Sequence, residues 1–209
     1  MSRAQSNFKA AEQLRQGNFH DTSLTISDSA RGGGSPNRLL LAPGYSSENL
    51  YPGIRSTAVQ FFNQRRIHWW SSKRCGDNPN ETLPTHHLMS SQVACVNFLL
   101  PLAAHPAAVL ALLKKIDPEV DAVLPTSYEK FNSLVEFEWT GLGSSLEGTK
   151  ATRGAMATSA DAFVLGSVKA RRRAFIFEWK YIESYSASGT IGKGSNETRL
   201  KRYREKFSD

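Results

Sequence analysis

Cysteine is scarce in this chain of 209 residues: Cys75 and Cys95 are the only two. They form no metal-binding spacing and no disulfide framework, and they fit free thiols in a reducing cytoplasm. Long hydrophobic runs are also lacking. A bilayer span needs about 18 consecutive apolar residues, and the longest apolar region, Cys95–Leu113, is broken by Asn97, Pro101, His105 and Pro106. Residues 1–20 are polar and charged, without the apolar centre of a secretory signal. The expected location is cytoplasmic, and no membrane partner is expected. A Gly-rich phosphate loop of the P-loop type is missing, which disfavours an NTPase. No internal repeat is visible.

What is present suits a globular protein. Hydrophobic residues make up 40% and charged residues 22% of the chain, so global disorder is not expected. Lys and Arg total 26 against 19 Asp and Glu, a net charge of +7. That balance favours a polyanionic partner, nucleic acid or an anionic surface. Many soluble proteins are basic, and here the charge clusters only in places, so charge alone does not decide between them.

Residues 1–38 read as a flexible arm, with a helix over Phe8–Gln16 and a linker over Ser27–Asn37 containing Gly32, Gly33, Gly34 and Pro36. Residues 39–209 read as one domain. Pro52–Trp70 is expected to be helical, with Val59, Phe62 and Arg66 at helical spacing and Trp69 and Trp70 at its end as packing residues. Ser90–Leu102 is a second helix, closed by Pro101, and Pro106–Ile116 a third, with Lys114 and Lys115 in its last turn. Strands are expected at Leu134–Thr140, Ala160–Leu165 and Ala174–Tyr181. In the first, Val135, Phe137 and Trp139 fall on one face and Glu136 and Glu138 on the other. A helix over Glu197–Phe207 carries Leu200, Tyr203 and Phe207 on one stripe. Helices, then an antiparallel meander, then a helix define an α/β chain with α+β elements.

The chemistry concentrates in the last two strands. In RAFIFEWKY, Phe175, Phe177 and Trp179 share the packing face, and Ile176, Glu178 and Lys180 the other. If the strand pairs with SADAFVL about a turn at Lys169 and Ala170, Asp161 and Glu178 are directly opposed and point to one face. Two carboxylates and a lysine so placed suit a Mg²⁺ site, because Mg²⁺ takes one or two carboxylates and keeps waters and phosphate oxygens as its other ligands. Such a cation activates water and stabilises phosphoryl charge, while the lysine neutralises charge developing beside it. The same triplet also fits a solvated strand face with an ordinary cross-strand neighbour. Strongly apolar opposite faces and the basic run Lys169–Arg173 favour the site.

The spaced Asp161 and Glu178–Trp179–Lys180 pattern resembles the signature of the PD-(D/E)XK nuclease superfamily. Four runs in order are similar to a bacterial family of restriction-endonuclease-like proteins within it: SSQVACVNFLLPL (Ser90–Leu102), FEWTG (Phe137–Gly141), RGAMATSADAFV (Arg153–Val164) and FEWKYIESY (Phe177–Tyr185). The resemblance covers residues 45–207 and implies a restriction-endonuclease-like mixed sheet flanked by helices, and a nuclease acting on DNA with Mg²⁺, Mn²⁺ being the alternative ion. It implies Asp161 and Glu178 as metal ligands, Lys180 as the catalytic lysine, and Gln92 as the polar residue that the superfamily often places on the preceding helix. A helix-start polar role fits Gln92 equally well. Glu138 is a candidate third carboxylate, or else a surface glutamate. The residue before Asp161 is Ala160 rather than Pro.

Lys150, Arg153, Arg171, Arg172 and Arg173 are candidate phosphate contacts, since Arg recognises phosphate bidentately; a run of Arg at a turn also fits a solvated tip. His86 and His87, before the Gln92 helix, are read as loop residues. The competing class is a non-catalytic nucleic-acid-binding protein on a nuclease scaffold. The superfamily core usually adds a strand after the helix that here ends at Phe207, so a truncated core with an open strand edge is expected, prone to self-association, for instance as a homodimer.

Overall fold

The structure is a computed structural model, and it describes residues 3–32, 37–69, 83–128, 131–140 and 159–181. Among these residues, four α-helices accompany a four-stranded sheet: α1 (Arg3–Thr22), α2 (Arg55–Gln64), α3 (Ser91–Ala103) and α4 (Pro106–Ile116). The sheet strands are β1 (Ala122–Leu124), β4 (Glu136–Trp139), β5 (Ala160–Val168) and β6 (Arg171–Phe177). A small hairpin, β2 (Thr126–Tyr128) and β3 (Phe131–Ser133), is inserted between β1 and β4. This is the α+β architecture expected, except that every pairing among the described residues is antiparallel rather than mixed.

β5 is the central strand. β6 pairs with it from Ala162↔Phe177 to Val168↔Arg171, on one edge. Its other edge is shared end to end: β4 pairs with residues 160–163 and β1 with residues 165–167. The β5–β6 hairpin turns at Lys169 and Ala170, both left-handed, with φ of 51° and 63°. That is the turn the register requires, and it is the mirror-image type whose twist matches a hairpin, formed here without glycine.

Apolar stripes dictate the helices. α3 starts behind Ser90, whose side chain accepts from Val93 N at 3.3 Å. It then buries Val93, Val96, Leu99 and Leu100. α4 starts at Pro106 and buries Val109 and Leu113. The two helices bend by 120° at their junction. Among the described residues, no single helix is long and apolar enough to cross a membrane. The buried side chains of α3 and α4 form one core with Phe62, Phe137, Val164 and Phe175.

Two of the helices differ markedly in extent from expectation. The helix expected over Pro52–Trp70 stops at Gln64, because Arg66 turns left-handed (φ 53°) and Ile67 N donates to Phe62 O at 2.9 Å. This is a Schellman stop with Ile67 folded into the core. Trp69 then stacks on Phe62 at 3.7 Å, a packing role as expected, while Trp70 lies outside the described residues. The helix expected at Phe8–Gln16 is longer, Arg3–Thr22, and it is not an isolated arm: its Glu12 is buried against Tyr181, at the other end of the described chain. Gly32 lies in a described turn, whereas Gly33, Gly34 and Pro36 lie outside the described residues.

Candidate active site

The site lies where the β5–β6 ladder ends. Ala162 pairs with Phe177, so Asp161 and Glu178 are the next opposed residues. The strand expected to run to Tyr181 ends at Phe177 instead, and Glu178–Lys180 continue beyond the ladder. Asp161 Oδ2 accepts from the backbone N–H of Trp179 at 2.5 Å, and the Trp179 ring packs on Phe98 of α3 at 5.2 Å. Lys180 Nζ is ion-paired with Glu178 Oε1. Both of those side chains are exposed.

Glu138 approaches from the other side of β5. The β4–β5 register runs Phe137↔Ala162 and Trp139↔Ala160, which brackets Glu138 opposite Asp161. Period-2 alternation groups Glu138 with Glu136 and Trp139 with Phe137. That alternation breaks at Glu138, a non-glycine residue with φ of 47°. Trp139 stacks on Phe163 at 4.3 Å instead of joining the Phe137 core. Glu138 turns inward, 2% exposed. Its Oε1 accepts from Gln92 Nε2 at 3.0 Å and its Oε2 from Ser159 Oγ at 2.7 Å. Gln92 also donates to His68 O at 3.1 Å. Gln92 is therefore a buried bridge from α3 to β4, and Glu138 is not a surface glutamate.

Electrostatics ties these groups together. Burial pushes the Asp161 carboxyl above the usual carboxylate range. The Trp179 N–H opposes that rise, the negative charges of Glu178 and Glu138 add to it, and Lys180 subtracts from it. Burial likewise pushes the Cys95 thiol up, reinforced by Asp161 and Glu138. Cys95 sits behind the same cluster as a protonated thiol, which suits packing rather than nucleophilic work. A left-handed backbone at buried Glu138 beside a half-buried carboxylate, Asp161, is the kind of feature that motivates a functional hypothesis. The positive φ of Glu138 had no signal in the sequence, and neither did the hydroxyl of Ser159.

Asp161, Glu138, Glu178 and their neighbours offer hard oxygen donors of the kind Mg²⁺ takes. Among the described residues, no three His, Cys, Asp or Glu side chains are gathered as a ready-made cage. Each carboxylate has a protein partner: Trp179 N–H for Asp161, Gln92 and Ser159 for Glu138, Lys180 for Glu178. The set therefore fits an ion held by one or two carboxylates, with the remaining positions left to water and phosphate.

The basic residues are placed differently from expectation. Arg171, Arg172 and Arg173 are not in the turn but on β6, and Arg173 is paired with Asp117. Lys169, in the turn, pairs with Glu119 at 2.6 Å. Glu178 lies six positions along from Arg172, so at about 3.4 Å per residue the basic end lies roughly 20 Å from the carboxylates. Lys150 and Arg153 lie outside the described residues, as do Cys75 and the expected helix Glu197–Phe207. His86 is buried and His87 half-buried in the loop before α3, a loop as expected.

The fold is α+β, with a carboxylate–lysine cluster at the end of its central hairpin. The family model described as restriction endonuclease associating with ARP matches residues 12–209. The chain belongs to that restriction-endonuclease-like family. No curated protein and no solved structure matches it.

Proposed function

We propose that the chain is a Mg²⁺-dependent endonuclease of the PD-(D/E)XK type, hydrolysing phosphodiester bonds in DNA. The observation that carries this is the meeting of Asp161, Glu178 and Lys180 at the end of the β5–β6 ladder, with Glu138 and Gln92 behind them. Asp161 and Glu178 would hold the cation, with Glu138 as a third carboxylate. When bound, the cation supplies Lewis-acid stabilisation of phosphoryl charge; Mn²⁺ accepts the same oxygen donors. Lys180 orients the attacking water and neutralises charge as it develops. Gln92 and Ser159 hold Glu138 in its strained conformation. Family membership supports the same class. Cleavage of plasmid DNA with Mg²⁺, lost on chelation, tests the proposal.

The second reading is a nucleic-acid-binding protein on a nuclease scaffold. It is favoured by one observation, that no three-ligand cage is preformed among the described residues. Salt-sensitive DNA binding with no cleavage at any Mg²⁺ concentration would select it.

Thermal unfolding gives a readout independent of cleavage. Mg²⁺ at ten times its dissociation constant is expected to stabilise the fold by about 1.4 kcal/mol, and Asp161→Asn is expected to remove that gain. The pH dependence comes from the raised Asp161 carboxyl. Folded Asp161 binds a proton more readily than in the unfolded chain. Its own contribution therefore favours the metal-free fold as pH falls through the raised value, and opposes it above. Cation binding must displace that proton, so the Mg²⁺ gain shrinks over the same fall in pH. A Mg²⁺ shift unchanged in Asp161→Asn would remove Asp161 from the cation site.

The hairpin gives a further expected outcome. Arg171 and Arg172 are exposed, whereas Arg173 is engaged by Asp117. Replacing Arg171 and Arg172 by Gln is expected to flatten the slope of log affinity against log salt by about 2, since each phosphate left without its cation lowers it by about 0.9. Arg173→Gln is expected to change it by less. An unchanged slope in the double variant would mean that this end of the hairpin faces away from DNA.

A further inference from the structure

Beyond Phe177 the ladder no longer holds the chain, yet Glu178 and Lys180 must be held opposite Asp161 for the proposed chemistry. Two anchors lie close by: the Trp179 N–H on Asp161 and the Trp179 ring on Phe98. The third comes from the far end of the sequence. Tyr181 Oη donates to Glu12 Oε1 of α1 and accepts from Gln16 Nε2 at 2.7 Å. Gln16 also reaches Glu12 Oε1 at 3.4 Å, and Arg15 Nη2 lies 3.0 Å from Glu12 Oε2.

Glu12 is only 2% exposed. Burying a carboxylate is costly unless it is bonded, and on a helix otherwise rich in exposed polar residues an exposed position was open to it. Its burial is explained if it serves Tyr181. Trp179 and Tyr181 alternate with Glu178 and Lys180, so the two anchored residues bracket Lys180 and leave its side chain and that of Glu178 exposed. Burial and the neighbouring Glu12 charge push the Tyr181 phenol up, so it keeps its proton and remains a donor.

We propose that α1 is a latch on this strand end: Glu12 and Gln16 hold the Tyr181 hydroxyl, and Tyr181 is thereby a positioning residue for Glu178 and Lys180. The consequence for catalysis rests on the nuclease reading; the latch itself does not. The experiment compares the full chain with Tyr181→Phe, which keeps the ring and removes the hydroxyl. Amide exchange in residues 178–181 is expected to rise about 10-fold, the loss of roughly one hydrogen bond, while residues 162–177 stay protected. Turnover is expected to fall about 10-fold with DNA affinity nearly unchanged, the mark of misplaced groups rather than lost binding. Glu12→Gln, which still offers an acceptor to Tyr181, is expected to retain most of both properties. Unchanged exchange at 178–181, or a rise spread evenly over the hairpin, would overturn the latch. If the wild-type chain shows no Mg²⁺-dependent cleavage, the nuclease reading fails and the exchange comparison still decides the latch.

Discussion

Glu178→Ala and Lys180→Ala are each expected to lower Mg²⁺-dependent cleavage by about a hundred- to a thousand-fold. DNA affinity is expected to change little. The reason is the division of labour along the hairpin. Glu178 and Lys180 sit at its carboxylate end, whereas exposed Arg171 and Arg172 lie at its basic end. Binding draws mainly on phosphate neutralisation, and the carboxylate end adds little to it. Glu178→Ala removes one of the oxygens proposed for the cation and frees Lys180 from its partner. Lys180→Ala leaves the carboxylates in place and removes the charge that meets the transition state. A fall in kcat without a matching rise in Kd identifies interactions made only in the transition state. Single-turnover cleavage with parallel affinity measurements checks this, and cleavage that survives in both variants would locate the chemistry elsewhere.

The second large effect is on stability. Glu136 is fully buried on β4 and its carboxylate meets Arg65, with Nε at 3.1 Å from Oε2. Thr126 Oγ1 donates to Oε1 at 3.0 Å, and the Arg65 guanidinium lies 3.6 Å from the centre of the Phe61 ring. Removing one partner of such a pair leaves the other charge buried, so Glu136→Ala is expected to cost about 3–5 kcal/mol. Replacing both, as Arg65→Met with Glu136→Leu, is expected to recover most of that loss, because the pair's attraction only offsets its own desolvation. Urea unfolding of the wild type and these two variants measures it. A loss below about 1 kcal/mol in Glu136→Ala would mean that water reaches Arg65.

Much of the fold, and the placement of the candidate site's residues, is legible in the sequence, and the exceptions have physical causes. Pro106 and the apolar spacing behind it locate α4 to the residue, and Ser90 locates the start of α3. The turn at Lys169 and Ala170 sets the register that opposes Asp161 to Glu178. Alternation fails at Glu138, because one left-handed residue rotates the rest of the strand, and no glycine or asparagine marks it. Helical spacing overruns Gln64, because Arg66 adopts the capping conformation more usual for glycine. The docking of α1 is hidden because the helix is polar and its tie to the body runs through Glu12 and Tyr181, a long-range polar contact that periodicity does not report. Gln92 and Glu138 each stand out as candidates by residue type and position, but their mutual hydrogen bond exists only in the fold.

The most direct measurement of the central claim is cleavage of supercoiled plasmid by the purified full chain, titrated with Mg²⁺, alongside Asp161→Ala at equal concentration. The predicted result is nicking that rises with Mg²⁺, stops on chelation, and is absent in Asp161→Ala while that variant still binds DNA. Equal cleavage by wild type and Asp161→Ala, or no cleavage by wild type at any Mg²⁺ or Mn²⁺ concentration, would contradict it.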